Sequence, residues 1–354
     1  MKHLKNLFNL PYLNDDSEWA YLDENKEFLD IISTFENKRL LVIGDIIVDR
    51  YIIGMVNNVA SDAPVPVVIQ YSAEDFLGGA LNLARCIRGL GGQVCLCSVV
   101  GNDDEGKFVR DASLNHWEMD VEGIFTVDNV HTTLNTRVIG NTRGNIQHVL
   151  RIDRDIEESV IEDIQKQVEV FLLEHRHEYD AIVIADHDKG FITPEIVEFI
   201  TKTYDIPIVA RPILKHFSYY SDVTAIILHR RTAEKLLQIP MINETSIRNS
   251  GLRVLRMLDP QAVLITWIED GFHLFLRDGE VVYTPSNAKN VIKLVGYRGT
   301  TCSDTVTSVF ALGLSSKVEM TVCSKLSLKA AEFYVSRAST LPITYEEFSK
   351  YLTA

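Results

Sequence analysis

Short apolar runs alternate with helix-spaced segments from about residue 156 to residue 266, and this alternation constrains the fold more than any other feature of the chain. The runs are Ala181–Ala185, Ile206–Ala210, Ala225–Leu228 and Ala262–Thr266. Helical patterns lie between them at Ile156–Glu178, from Thr193-Pro194, near Thr232–Leu237 and at Ser246–Leu258. Strands that are apolar at every position are buried on both faces, so the alternation predicts a doubly wound, mostly parallel α/β sheet. Arg39–Gly44 (RLLVIG) is a run of the same kind and ends in Gly-Asp. Two regions, about 50–75 and 130–152, instead alternate apolar and polar residues with period two. Half-buried strands of that type predict a small separate β sheet, a lid over the mouth of the α/β body. Residues 1–38, with Trp19, Tyr21, Phe28 and Ile32 in a polar background, read as an N-terminal helical extension. Residues 39–354 then form one α/β domain with its lid.

Charge and cysteine usage exclude several classes of function. Lys plus Arg number 35 against 49 Asp plus Glu, a formal charge of −14. That balance argues against a nucleic-acid coat or an anionic membrane surface, while leaving room for a local phosphate pocket. No apolar run approaches the ~18 residues that span a bilayer. Met1–Asp16 has neither an apolar core nor a small-residue cleavage site, so no signal peptide is expected. The cysteines (Cys86, Cys95, Cys97, Cys302, Cys323) lack CxxC or CxxH spacing. They read as reduced thiols of a cytoplasmic protein without disulfides or structural zinc. His175-Arg176-His177 and Asp186-His187-Asp188 have metal-ligand residue types, but one falls on a polar helix end and the other on a loop. No metal ligand is assigned.

The residues with chemical promise follow the first strand. Gly44-Asp45-Ile46-Ile47-Val48-Asp49-Arg50-Tyr51 reads as a turn leaving the sheet, where open α/β sheets bind ligands. Asp45 and Asp49 there are candidate acceptors for the hydroxyls of a polyol. Gly78-Gly79 precede a helical pattern, which permits close approach of backbone to a ligand, and Asn82 in the first turn can donate to a sugar hydroxyl.

Together with Gly89–Gly91, Val99–Gly106, Ser61–Val67, Thr136–Ile139, Leu150–Asp153 and Asp186–Pro194, these segments resemble the ribokinase-like (PfkB) carbohydrate kinase family. The resemblance spans about residues 38–350 and is greatest to the heptose-7-phosphate kinase branch. It implies a sugar phosphate held under the lid by Asp45, Asp49, Gly78, Gly79, Asn82 and Lys189, with Arg137 on the substrate phosphate. It implies ATP and Mg²⁺ at the C-terminal half and a homodimer formed through the lid. The family's Gly-Ala-Gly-Asp, whose Asp takes the proton from the attacking sugar hydroxyl, is matched by Thr301-Cys302-Ser303-Asp304. Asp304 is therefore the candidate base, with Arg230, Glu269, Gly271, Thr301 and Ser303 as nucleotide or phosphate contacts.

The resemblance thins at the nucleotide subsite. Thr301 and Ser303 replace the glycines of the anion-binding turn, and Ile268 precedes Glu269-Asp270-Gly271 where the family has glycine. The family's Asn-x-x-Glu, which organises Mg²⁺, falls on Arg230-Arg231-Thr232-Ala233, with Glu234 one residue on. Its Asp-Pro reads Arg211-Pro212, and Arg298 stands where another Asp opens the Gly-Ala-Gly-Asp segment. Arginines thus cluster where metal and triphosphate are expected. Two functions follow from this pattern. One is a sugar-phosphate kinase using ATP and Mg²⁺; the other is a pseudokinase that binds a sugar phosphate or a protein partner without phosphoryl transfer.

Overall fold

The computed structural model describes residues 15–142, 144–156, 159–288, 301–337 and 339–354. Arg298 and Gly299-Thr300 lie outside the described residues, as do residues 1–14 of the expected extension.

The apolar runs form the central strands. β1 (Arg39–Gly44), β4 (Gln93–Gly101), β5 (Asp120–Val127), β8 (Ala181–Ala185), β9 (Ile208–Arg211), β10 (Ala225–His229) and β11 (Ala262–Trp267) are mutually parallel. An antiparallel hairpin, β12 (Gly271–Leu276) and β13 (Val281–Pro285), completes a nine-stranded sheet in the order β13-β12-β11-β10-β9-β8-β1-β4-β5. Alternate residues of one strand enter opposite cores. Leu40 and Val42 join Ala181, Val183 and Phe310 on one face, while Leu41 and Ile43 join Ile182, Ile184 and Phe191 on the other. This is why the strands carry no polar face. Each such aliphatic side chain contributes about 1.5–3 kcal/mol on burial.

Helices cover both faces. Phe28 and Ile32 of α1 (Asp15–Ile32) pack on the first core with α2 (Ala80–Gly89), α8 (Thr301–Ser315), α9 (Met320–Ser336) and α10 (Tyr345–Thr353). The second core is covered by α4 (Ser159–Glu174), α5 (Pro194–Thr203), α6 (Arg230–Leu237) and α7 (Glu244–Leu258). The remaining helix, α3 (Asp104–Asp111), is capped by the Asp103 side chain. Among the described residues, no helix is long and apolar enough to cross a membrane.

The period-two segments form a second sheet of four strands, ordered β3-β2-β6-β7. Its strands are β2 (Ile46–Val59), β3 (Pro66–Gly79), β6 (Leu134–Thr142) and β7 (Asn145–Arg154). They are longer than the alternation suggested, and this corrects one reading. Ile46–Tyr51 is not a turn: its residues pair with Glu74–Gly79, so Asp49 sits on a strand. Gly78 and Gly79 precede the helix as read, and they also end β3, with a positive φ of 59° at Gly79 turning the chain into α2. In the α/β body, the helix read over Ile156–Glu178 is shorter, so His175–His177 fall after α4 rather than on its end.

Candidate active site

Asp45 lies between β1 and β2 and is 2% exposed. Its backbone joins three elements: its N–H donates to Ala185 O at 3.1 Å, and its carbonyl accepts the Ala80 N–H at 2.9 Å. Its carboxylate accepts backbone N–H groups from the loop after β8, those of His187 at 2.7 Å, Lys189 at 3.3 Å and Phe191 at 2.9 Å. Both oxygens are thus committed to backbone, which corrects the reading of Asp45 as a polyol acceptor. It pins the Lys189 loop to the root of the second sheet.

Burial, with Asp186 nearby, pushes the Asp45 carboxyl up to about 6 despite those donors. Burial first, then Arg211 and Lys189, pushes the His187 imidazole down to about 3. The two act oppositely on stability. Asp45 contributes stability that is fully present below pH ~4 and lost as pH rises through about 6. His187 contributes stability present above its unfolded value of 6.5 and lost as pH falls toward about 3. Relative to the unchanged chain, His187→Gln is therefore expected to gain stability as pH falls from 6.5 to 4, and Asp45→Asn to lose it. Denaturant titrations at several pH values check this, and parallel pH profiles for all three proteins would contradict it.

Asp49 faces outward on β2 beside Gly78. A Cβ at Gly78 would fall on Asp49 Oδ2, so the carboxylate lies directly against glycine backbone. Arg137, on neighbouring β6, donates to Asp49 Oδ1, and its guanidinium lies 5.4 Å from the centre of the Tyr51 ring. Asn135 is the cross-strand neighbour of Asp49, and its buried Oδ1 has no hydrogen-bond partner among the described residues. Motif reading passed over Asn135; its place directly before Thr136-Arg137 was the signal in the sequence, and its pairing with Asp49 appears only in the fold. Lys189 Nζ pairs with Asp155 at 2.7 Å.

Asp304, in the first turn of α8, is 1% exposed. The Asn82 amide donates to its Oδ2, and the Arg211 guanidinium at the end of β9 donates to its Oδ1. Asn82 is also within 3.2 Å of Thr301 Oγ1. The N-terminal glycine-helix segment and the C-terminal helix, 222 residues apart for this bond, therefore meet at one carboxylate. Thr301 is turned toward Asn82 rather than into the cleft described next, which corrects its assignment to the nucleotide side.

A cleft of about 590 Å³ opens at the carboxyl ends of β8–β11. Arg211, His229, Arg231, Lys235, Thr266 and Ser303 are among its lining residues. Ser303 lines this cleft. Arg230 does not line the cleft: its guanidinium stacks 3.6 Å from the centre of the Trp267 ring and bonds Glu234 and the Met241 carbonyl. Its successor Arg231 and Lys235, one turn further on, take the position assigned to it. Glu269 is exposed in the turn between β11 and β12, close enough to bear on His229. Gly271 pairs with Trp267 and Pro285, and a Cβ there would fall on Thr284 O, which makes its glycine a requirement of the hairpin.

The cleft residues do not fit Mg²⁺. A hard cation favours oxygen ligands, yet Asp186 is the lone carboxylate among the described lining residues. Its oxygens are taken by Tyr220 OH at 2.7 Å, His216 Nδ1 at 3.0 Å and the Asp188 N–H at 3.0 Å. Ala233, at the family's glutamate position, is fully buried. Glu234 Oε1 is engaged by Arg230 and the Met241 N–H at 2.9 Å. No step is therefore routed through a metal.

A nine-stranded sheet carrying a four-stranded sheet over the ends of its strands, with a helix-start aspartate beneath, defines a ribokinase-like sugar kinase architecture. Residues 37–344 match the pfkB family carbohydrate kinases, and the chain belongs to that family. It is 30% identical over 325 residues to the bifunctional protein HldE of Geotalea uraniireducens, covering 91% of this chain and 64% of that protein. It is 31% identical over 311 residues to the HldE of Geobacter sulfurreducens, covering 87% and 61%. The chain thus spans a little under two thirds of these curated relatives. Among solved structures, Arabidopsis thaliana ribokinase complexed with ribose and ATP superposes with a TM-score of 0.67 at 14% identity, covering 90% of this chain and 99% of that one. The tetrameric inhibited form of Escherichia coli phosphofructokinase-2 gives 0.69 at 13%, covering 90% and 100%. At these identities the structural likeness establishes the fold.

Proposed function

We propose that this chain is a cytoplasmic sugar-phosphate kinase that transfers the terminal phosphoryl group of ATP to a hydroxyl of heptose 7-phosphate or a similar sugar. The observation that carries this is the Asn82–Asp304 bond, which sets a carboxylate at a helix start against the glycine-helix segment beside Asp49. Asp49 and Asn82 orient the sugar, Gly78 and Gly79 let it approach backbone, and Lys189 and Arg137 bear on its anionic end. Asp304 takes the hydroxyl proton as the oxygen bonds to the terminal phosphorus, and the bond to the bridging oxygen breaks to release ADP. The test is ADP release dependent on heptose 7-phosphate and abolished by Asp304→Asn. No turnover across a panel of sugar phosphates would count against this reading.

A second reading is favoured by two observations: Arg211 holds the candidate base, and Ala233 stands where the family resemblance places a metal-organising glutamate. In that reading the protein binds a sugar phosphate without transferring phosphate, as a regulator. Sugar-phosphate binding with no ADP release selects it.

The second sheet supports a homodimer. Ile69, Tyr71, Ile146, Leu150 and Ile152 expose more than half of their surface on it, an apolar density that commonly marks an interface. Light scattering at micromolar concentration is expected to give twice the chain mass, falling to the monomer in Leu150→Glu/Ile152→Glu. A monomer in the unchanged protein would remove the proposal.

A further inference from the structure

We infer that the cleft at the strand ends takes a polyphosphate directly on side-chain cations, without a bridging divalent metal, and that Arg211 leaves Asp304 to hold it. This rests on the sugar-kinase reading for its location only. In a chain of net charge −14, the cationic lining of this cleft is a local exception. Arg231 and Lys235 lie four residues apart on α6, and neither makes an ion pair within 4 Å among the described residues; the nearby Glu234 carboxylate, on which Arg231 acts, is bonded by Arg230 and the Met241 N–H. The single lining carboxylate, Asp186, is closed off by Tyr220, His216 and the Asp188 backbone. Unpaired like charges facing one cleft repel each other, and a phosphate group relieves that repulsion. Guanidinium groups bind phosphate oxygens in bidentate fashion without metal.

Arg211 joins this cleft to the candidate base. It lines the cleft and donates to Asp304 Oδ1. A phosphate in the cleft and the Asp304 carboxylate therefore compete for one guanidinium. Polyphosphate binding draws Arg211 away and leaves an Asp304 lone pair open to a hydroxyl proton. By reciprocity, weakening the Arg211–Asp304 pair strengthens polyphosphate binding by the same factor.

The experiment is calorimetry with inorganic tripolyphosphate on the full chain, in EDTA and in Mg²⁺. Binding is expected in EDTA, with no tightening by Mg²⁺. Arg231→Ala and Lys235→Ala, both at exposed positions, are each expected to weaken it about tenfold, the scale of one charge-assisted contact. Asp304→Asn is expected to tighten it about tenfold, and that gain is expected to vanish in an Arg211→Ala background. Binding that requires Mg²⁺, or no binding in either buffer, overturns the metal-free site. A gain that persists in Arg211→Ala assigns the effect to general charge removal and overturns the competition. Absence of sugar-phosphate turnover with these binding results intact would sink the kinase reading alone.

Discussion

Replacing Asp304 by Asn is expected to lower phosphoryl transfer to the sugar by about 10²–10⁴-fold, the range typical of losing a positioned general base. Sugar-phosphate affinity is expected to fall far less than the rate, because Asp49, Gly78, Arg137 and Lys189 do not bond position 304 and Asn82, which does, can trade its amide donor for its amide oxygen. The substitution is nearly isosteric and the cavity is unchanged. The hydrogen bonding also has a route to recover. The new amide keeps one oxygen for the Arg211 guanidinium, and Asn82 can rotate to present its own oxygen to the new N–H. Thr301 Oγ1, 3.2 Å from the Asn82 amide, then serves as the donor partner. Folding stability is thus expected to survive while the proton acceptor does not. Steady-state rates and sugar-phosphate calorimetry on the same preparation separate the two. Retained turnover would move the base elsewhere, and lost sugar binding would mean that position 304 is structural.

Gly78→Ala is expected to weaken sugar-phosphate binding at least tenfold while leaving the melting temperature nearly unchanged. The added methyl group would fall on Asp49 Oδ2, the end of a movable side chain, with the Ile47 carbonyl 3.2 Å away. The carboxylate yields and the strand stays. Displacing Asp49 also breaks its pair with Arg137, so two contacts to the sugar end are lost together. A methyl group at Gly44 would instead meet the Ala185 carbonyl, where no side chain can yield, and that contrast locates the effect of Gly78 in the ligand. Equal sugar affinity in Gly78→Ala would remove Asp49 from the site.

The parallel sheet was legible because its strands are buried on both faces and therefore apolar throughout. Edge elements were not. The edge strands β5 and β13 carry Asp120, Glu122 and Tyr283 among their apolar residues, because an edge strand meets solvent on one side; β12, inside the sheet, was hidden by the buried His273. Within the site, sequence motifs located Asp49, Gly78, Asn82 and Asp304 in their structural neighbourhoods. They misplaced Asp45, since an acceptor of backbone N–H groups and an acceptor of sugar hydroxyls look alike in sequence. They also favoured Arg230 over Arg231, because a one-residue step at a helix start, about 100° of rotation, decides which side chain enters the cleft. Arg211 appeared as a departure from a pattern; its partner Asp304 lies 93 residues away and only the fold could reveal it.

The Asp45 junction fastens the second sheet, the roof in the sugar-kinase reading, to the α/β body at its root. One residue ties the floor strand, the roof's first strand, the start of α2 and the Lys189 loop into a single rigid corner. A tilt of the second sheet that kept these bonds would carry the start of α2 and the Lys189 loop along, so in the sugar-kinase reading closing over a substrate and placing Asn82 and Lys189 would be one movement.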